Sequence, residues 1–130
     1  MNNKIINITF LITILTIAGC TYESKMVKLV DSYEFDELTK DDVFIIQTRT
    51  PYEPGIKGTH LVIEDYENVR LYQEFLPKDK NKKILIYCRS GRRSSIASTQ
   101  LLELGYTNVH NLEGGMIAWT RSGKEIGFNQ

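Results

Sequence analysis

A chain of 130 residues is the size of one ordinary domain and too short for two separate cores. Hydrophobic residues make up 42% and charged residues 25%, which supplies a packed core and excludes wholesale disorder. Lys+Arg and Asp+Glu both number 16, so nothing marks the chain for nucleic acid or an anionic membrane surface, and any anion site must be local.

The N-terminus reads as a targeting segment. Lys4 supplies a positive start, Ile5 to Ala18 form an apolar run interrupted by Asn7 and threonines, and the small residue Gly19 precedes Cys20. The run is shorter than the roughly 20 residues a bilayer-crossing helix needs, so a secretory signal fits better than a permanent anchor. Ile17-Ala18-Gly19-Cys20 resembles the lipobox of bacterial lipoproteins. That resemblance implies removal of residues 1–19, a lipid on Cys20, and a membrane-anchored protein outside the cytoplasm, periplasmic or at the cell surface. The competing reading is a plain secretory signal or an uncleaved anchor whose boundary happens to carry a cysteine. Residues 20–26 then form the lipidated cysteine and its tether, 27–122 the domain, and 123–130 a C-terminal tail.

From Val27 onward, short β-branched runs alternate with helix-like segments, the pattern of βα units and a parallel sheet. Val27 to Val30 is the first expected strand. Asp31 or Ser32 caps a helix that carries Phe35 and Leu38 on its apolar face. Val43 to Ile46 is an uninterrupted apolar strand, as expected of one buried on both faces, and Arg49, Thr50 and Pro51 close it off. Pro54 to Thr59 is a turn, followed by a strand at His60 to Ile63 and a helix at Asn68 to Phe75. Lys78, Lys80, Lys82 and Lys83 lie in the connection from Pro77 to Lys83, expected to be a solvated loop and not a binding patch. Ile84 to Tyr87 is the clearest strand and ends directly at Cys88. Ser94 to Leu104 is helical in pattern, with Ile96, Ala97, Leu101 and Leu104 on one side and Gly105 past its end. Val109 to Leu112 is a last strand, and Gly114-Gly115 leads into a final helical turn with Ile117, Ala118 and Trp119.

The chain has two cysteines, and a lipid on Cys20 leaves Cys88 without a partner. An unpaired thiol in an oxidising compartment suggests reactivity, while a buried cysteine acting as a small hydrophobe fits the composition equally well. The surrounding residues bear on the choice. A thiol becomes a good nucleophile when its pKa of about 8.5 is lowered by a helix N-terminus or by cations. Gly91 permits a turn that aims successive amides at one centre, and the helix expected near Ser94 adds its positive end. Arg89, Arg92 and Arg93 add charge suited to a thiolate, a persulfide or an oxyanion such as thiosulfate, and Ser90, Ser94 and Ser95 offer hydroxyl donors.

The run Tyr87-Cys88-Arg89-Ser90-Gly91-Arg92-Arg93-Ser94, followed by Gly105-Tyr106 and Asn111-Leu112-Glu113-Gly114-Gly115-Met116-Ile117-Ala118-Trp119, resembles the rhodanese family. The resemblance spans about Val27 to Trp119 and is strongest after Ile84. It implies an α/β fold with a parallel sheet of about five strands and helices on both faces. It also implies that Cys88 is the catalytic residue, accepting a sulfane sulfur from a small sulfur-containing anion, holding it as a persulfide among the loop residues Arg89 to Ser94, and passing it to a thiol or cyanide. No cofactor is required by such chemistry. The N-terminal half departs from the family: Gln47-Thr48-Arg49 stands where Asp-Val-Arg is typical, and Pro54 to Thr59 is short and lacks a histidine. Arg49 thereby loses a charged neighbour and reads more simply as a structural residue at the sheet end.

Three other readings of the loop are phosphatase or arsenate-reductase chemistry, an inert binding module and a redox-sensing thiol. Phosphatases and arsenate reductases of related fold use seven-residue loops, whereas here the loop closes in six residues from Cys88 to Arg93 and Ser94 occupies the seventh position, which suits one sulfur atom better than a tetrahedral oxyanion. Inert members of the family typically lack the cysteine. A redox-sensing thiol is compatible with the same low pKa. His60 and His110 have no metal-like spacing, so no metal is expected. Met116 and Trp119 read as packing residues and Gly114-Gly115 as a backbone device close to the loop.

Overall fold

The computed structural model describes residues 25–49 and 53–127, so the expected signal segment, Cys20 and most of the expected tether lie outside the described residues. Five parallel strands form one sheet: β1 (Lys28–Val30), β2 (Phe44–Gln47), β3 (Leu61–Val62), β4 (Ile84–Tyr87) and β5 (Val109–Leu112), in the order β1-β5-β4-β2-β3. The helices are α1 (Ser32–Leu38), α2 (Arg92–Glu103) and α3 (Gly115–Arg121), with a 3₁₀ helix at Val69–Phe75. Asp31 caps α1, its Oδ1 accepting from the amides of Tyr33 and Glu34 at 2.9 Å each.

β4 lies in the middle of the sheet and is buried along its whole length, which explains its continuous apolar run. Strand alternation divides the core in two. Leu85 and Tyr87 pack with Phe35, Met116 and Trp119 on the α1 and α3 side, where Phe35 meets Tyr87 and Trp119 edge-on at 6.2 and 6.1 Å. Ile84 and Ile86 pack with Val69, Ala97, Leu101 and Tyr106 on the α2 side.

Two expected elements take a different form. The segment at Val69–Phe75 winds as 3₁₀ because its start is pinned: Gln100 of α2 accepts from the Val69 amide at 3.0 Å and donates to the Tyr66 carbonyl at 2.7 Å. α2 begins at Arg92, earlier than Ser94, because Gly91 takes the cap position with φ +94°. Its buried face is Ser94, Ala97, Ser98 and Leu101, while Ile96 and Leu104 are only half buried. These small side chains let α2 lie close against β4 and β5.

The lysine-bearing connection is tied at its end by Lys82 to Asp42 at 2.5 Å and Lys83 to Asp41 at 2.7 Å. Beyond α3 the chain folds back. Gly127 and Gly55 exchange backbone hydrogen bonds of 2.6 and 2.9 Å, Trp119 Nε1 donates to the Glu125 carbonyl at 2.8 Å, and Lys124 pairs with Asp36 at 2.6 Å. Among the described residues no helix is long and apolar enough to cross a membrane.

Candidate active site

The strand order creates the site. The chain leaves β2 toward β3 on one side and leaves β4 toward β5 on the other, so the loops after these adjacent strands diverge and open a crevice at their carboxyl ends. Cys88 follows β4, and Thr48 and Arg49 follow β2. A cavity of about 280 Å³ occupies this crevice, lined by Cys88, Arg89, Ser90, Arg92, Arg93, Arg49 and Glu53.

Cys88 is 1% exposed and its Sγ is an acceptor at the centre of the loop. The Gly91 amide donates to it at 3.0 Å and the Ser94 hydroxyl at 3.4 Å. Gly91 can turn its N–H back because it occupies the left-handed region, which L side chains rarely adopt. The first regular bond of α2 runs from Ser95 N to Gly91 O at 3.1 Å, so the Ser94 amide precedes it and is free to face the sulfur. Burial pushes the Cys88 pKa up, but the Ser94 hydroxyl and the amides of Ser94, Gly91 and Ser90 outweigh it, and the net shift is downward from 9.0. These donors, and not arginine charge, lower the pKa. Arg89, Arg92 and Arg93 are exposed around the cavity, with Arg93 over the Tyr66 ring at 5.6 Å, and Ser95 is exposed.

The outer side of the loop is held by α3. Met116 N donates to the Cys88 carbonyl at 2.9 Å and Ile117 N to the Arg89 carbonyl at 3.0 Å. In a planar trans peptide the N–H points opposite the C=O, so turning the Arg89 carbonyl toward α3 turns the Ser90 amide toward the sulfur. Gly115 makes the approach possible: its φ is +57°, and a Cβ there would collide with the Cys88 carbonyl and the Arg89 backbone. The Gly114-Gly115 pair is thus the backbone device expected from the sequence.

Arg49 corrects the sequence reading. Its Nε donates to Glu53 Oε2 at 2.7 Å and its Nη1 to the Pro54 carbonyl at 3.2 Å, with the side chain 11% exposed. Glu53 therefore supplies the carboxylate thought lost with Gln47, and Arg49 forms a cavity wall as well as tying the chain. Gln47 is itself fully buried in β2. Beside it, the Tyr87 hydroxyl accepts from the Ile56 amide at 2.9 Å and bonds Thr59 Oγ1 at 2.7 Å, which anchors the shortened segment after Pro54. Glu53 carried a motif signal in the sequence, since Thr50-Pro51-Tyr52-Glu53 stands where the resembled family typically has Thr-Pro-Glu-Glu. Among the described residues no cluster of three or more His, Cys, Asp or Glu could hold a metal, and His60 is built into the sheet, its Nδ1 accepting from the Ile45 amide at 3.0 Å.

A parallel α/β domain with an acidified thiol at its switch point defines the class of protein. Residues 24–122 match the Rhodanese-like domain, and the chain belongs to that family. A sulfurtransferase of Allochromatium vinosum is 37% identical over 105 residues, covering 78% of this chain and 95% of that protein. A tRNA uridine(34) hydroxylase of Hamiltonella defensa is 34% identical over 100 residues, which cover 72% of this chain but only 28% of the hydroxylase. The reduced CoADR-RHD protein of Bacillus anthracis superposes with a TM-score of 0.68 at 30% identity, over 78% of this chain and 18% of that one.

Proposed function

We propose that the protein is a sulfurtransferase in which the Cys88 thiolate takes the outer sulfur of thiosulfate or a polysulfide and passes it to cyanide or a thiol. The sulfurtransferase class is supported by family membership and by the A. vinosum relative, which matches over nearly its whole length. The convergence of Gly91, Ser90 and Ser94 donors on one sulfur inside an arginine-lined cavity carries the finer reading.

With thiosulfate, the Cys88 thiolate attacks the outer sulfur, the S–S bond breaks, and sulfite leaves with the bonding electrons. Cys88 now carries a persulfide. Its terminal charge lies in the cavity that Arg89, Arg92 and Arg93 line, beside the Sγ to which the loop already donates. An acceptor nucleophile then attacks the terminal sulfur and returns the electron pair to Cys88. Intact mass of the purified protein after thiosulfate tests this: a gain of one sulfur atom is expected, absent in Cys88→Ser. No adduct, together with turnover of p-nitrophenyl phosphate, would overturn it.

We also propose that Cys20 carries a lipid that anchors the domain to a membrane outside the cytoplasm, in the periplasm or at the cell surface. The lipobox-like Ile17 to Cys20 supports this reading. Palmitate labelling is expected in the intact chain and lost in Cys20→Ala; labelling that survives the substitution rules the anchor out.

A further inference from the structure

The cavity at Cys88 adjoins a second one. Arg49 and Arg89 also line a neighbouring space of about 210 Å³ whose remaining walls include Pro54, Met116, Ile117 and Ile126. The first cavity is walled mainly by charged side chains and the second mainly by aliphatic ones, with Thr120 and the two shared arginines as the polar residues of the second. Ile117 and Ile126 are 38% and 50% exposed, so both offer apolar surface to an incoming molecule.

The shelf is built, not incidental. Ile117 comes from α3, whose N-terminus holds the catalytic loop. Ile126 is delivered by the returning chain, fixed on either side by the Glu125 carbonyl bond to Trp119 and by the Gly127 pairing with Gly55. The charge is complementary to an acid. Glu53 pairs with Arg49, whereas no carboxylate among the described residues pairs with Arg89, which leaves Arg89 to receive an anionic group.

We propose that the Met116, Ile117 and Ile126 shelf beside Arg89 is the acceptor subsite, and that it selects a small organic thiol bearing an apolar chain and a carboxylate. This rests on the sulfurtransferase reading. The acceptor thiolate attacks the terminal sulfur of the Cys88 persulfide, the S–S bond breaks, its electron pair returns to Cys88 Sγ, and the acceptor leaves as its own persulfide. One neutral sulfur atom moves, so no outside oxidant or reductant is consumed.

The test loads the full chain with thiosulfate and measures discharge to 6-mercaptohexanoate, mercaptoacetate, 6-mercaptohexanol and cyanide. The expected kcat/KM for 6-mercaptohexanoate exceeds that for the chainless acid and for the uncharged alcohol by roughly tenfold. The ratio of its rate to that with cyanide is expected to fall about fivefold or more in Ile126→Asp, mainly through KM, and to recover in Ile126→Leu. Equal discharge to the three thiols, or a ratio that Ile126→Asp leaves unmoved, would overturn the subsite. Failure of thiosulfate to load any sulfur would instead overturn the sulfurtransferase reading, and the subsite with it.

Discussion

Burial alone would raise the Cys88 pKa, because an ionised sulfur loses its water, yet the Ser94 hydroxyl and the amides of Ser94, Gly91 and Ser90 reverse the direction. Ser94 is the side chain to test. A hydrogen bond to a charged acceptor contributes about 1.5–3 kcal/mol, so Ser94→Ala is expected to slow iodoacetamide alkylation of Cys88 at neutral pH by roughly tenfold. The midpoint of the alkylation profile should move to higher pH, since the variant loses a donor that favours the thiolate. An unchanged profile would assign the lowering to the backbone amides alone. The arginines at the cavity act differently. They offer charge to whatever enters, while the sulfur is acidified by dipoles already in place before a substrate arrives.

Among the elements, β4 and α2 form the unit most legible in the sequence, because a buried strand, a glycine turn and a helix follow one another within a single stretch of chain. Ile84–Tyr87 falls where its apolar run places it, and Val109–Leu112 forms the expected last strand although His110 and Asn111 interrupt its apolar pattern. The start of α2 differs because periodicity locates a helix by its apolar face, and the face toward the sheet here is made of Ser94, Ala97 and Ser98. Apolar patterning passes over a serine buried against a sheet. The 3₁₀ helix at Val69–Phe75 differs for another reason: the Gln100 side chain that shapes its start comes from α2, distant in sequence. The role of α3 was legible only in part. Its glycine pair marks a backbone constraint, but the amides of Met116 and Ile117 meet the loop carbonyls only after α3 packs beside β4.

For the whole molecule, a buried histidine sets a pH dependence separate from the active site. His110 lies on β5 in register with Leu85 and Lys28, its Nε2 bonded to Asn108 Oδ1 at 2.8 Å. Burial first, then the positive charges of Lys28 and Lys83, push its pKa down from 6.5 to about 4. The folded protein holds this ring neutral while the unfolded chain protonates it near its ordinary value. The contribution is therefore complete above pH 6.5 and is lost as pH falls through about 4. After solvent screening, a loss of about 2 kcal/mol is expected between pH 7 and pH 4, read as a falling urea midpoint. The slope should flatten in His110→Leu; an identical slope in that variant would place the dependence elsewhere.

The sequence by itself determined the domain class, the candidate thiol and the loop around it, because these depend on neighbours along the chain: a strand that ends at Cys88, a glycine that turns, and a helix that begins. The tertiary structure decided what surrounds that loop. The Arg49–Glu53 pair lines the Cys88 cavity because β2 lies beside β4, and Ile126 lines the adjoining cavity because Gly127 pairs with Gly55. Contacts of this kind join segments far apart in the chain, through backbone hydrogen bonds that any residue can make, and so they leave no mark on the order of side chains.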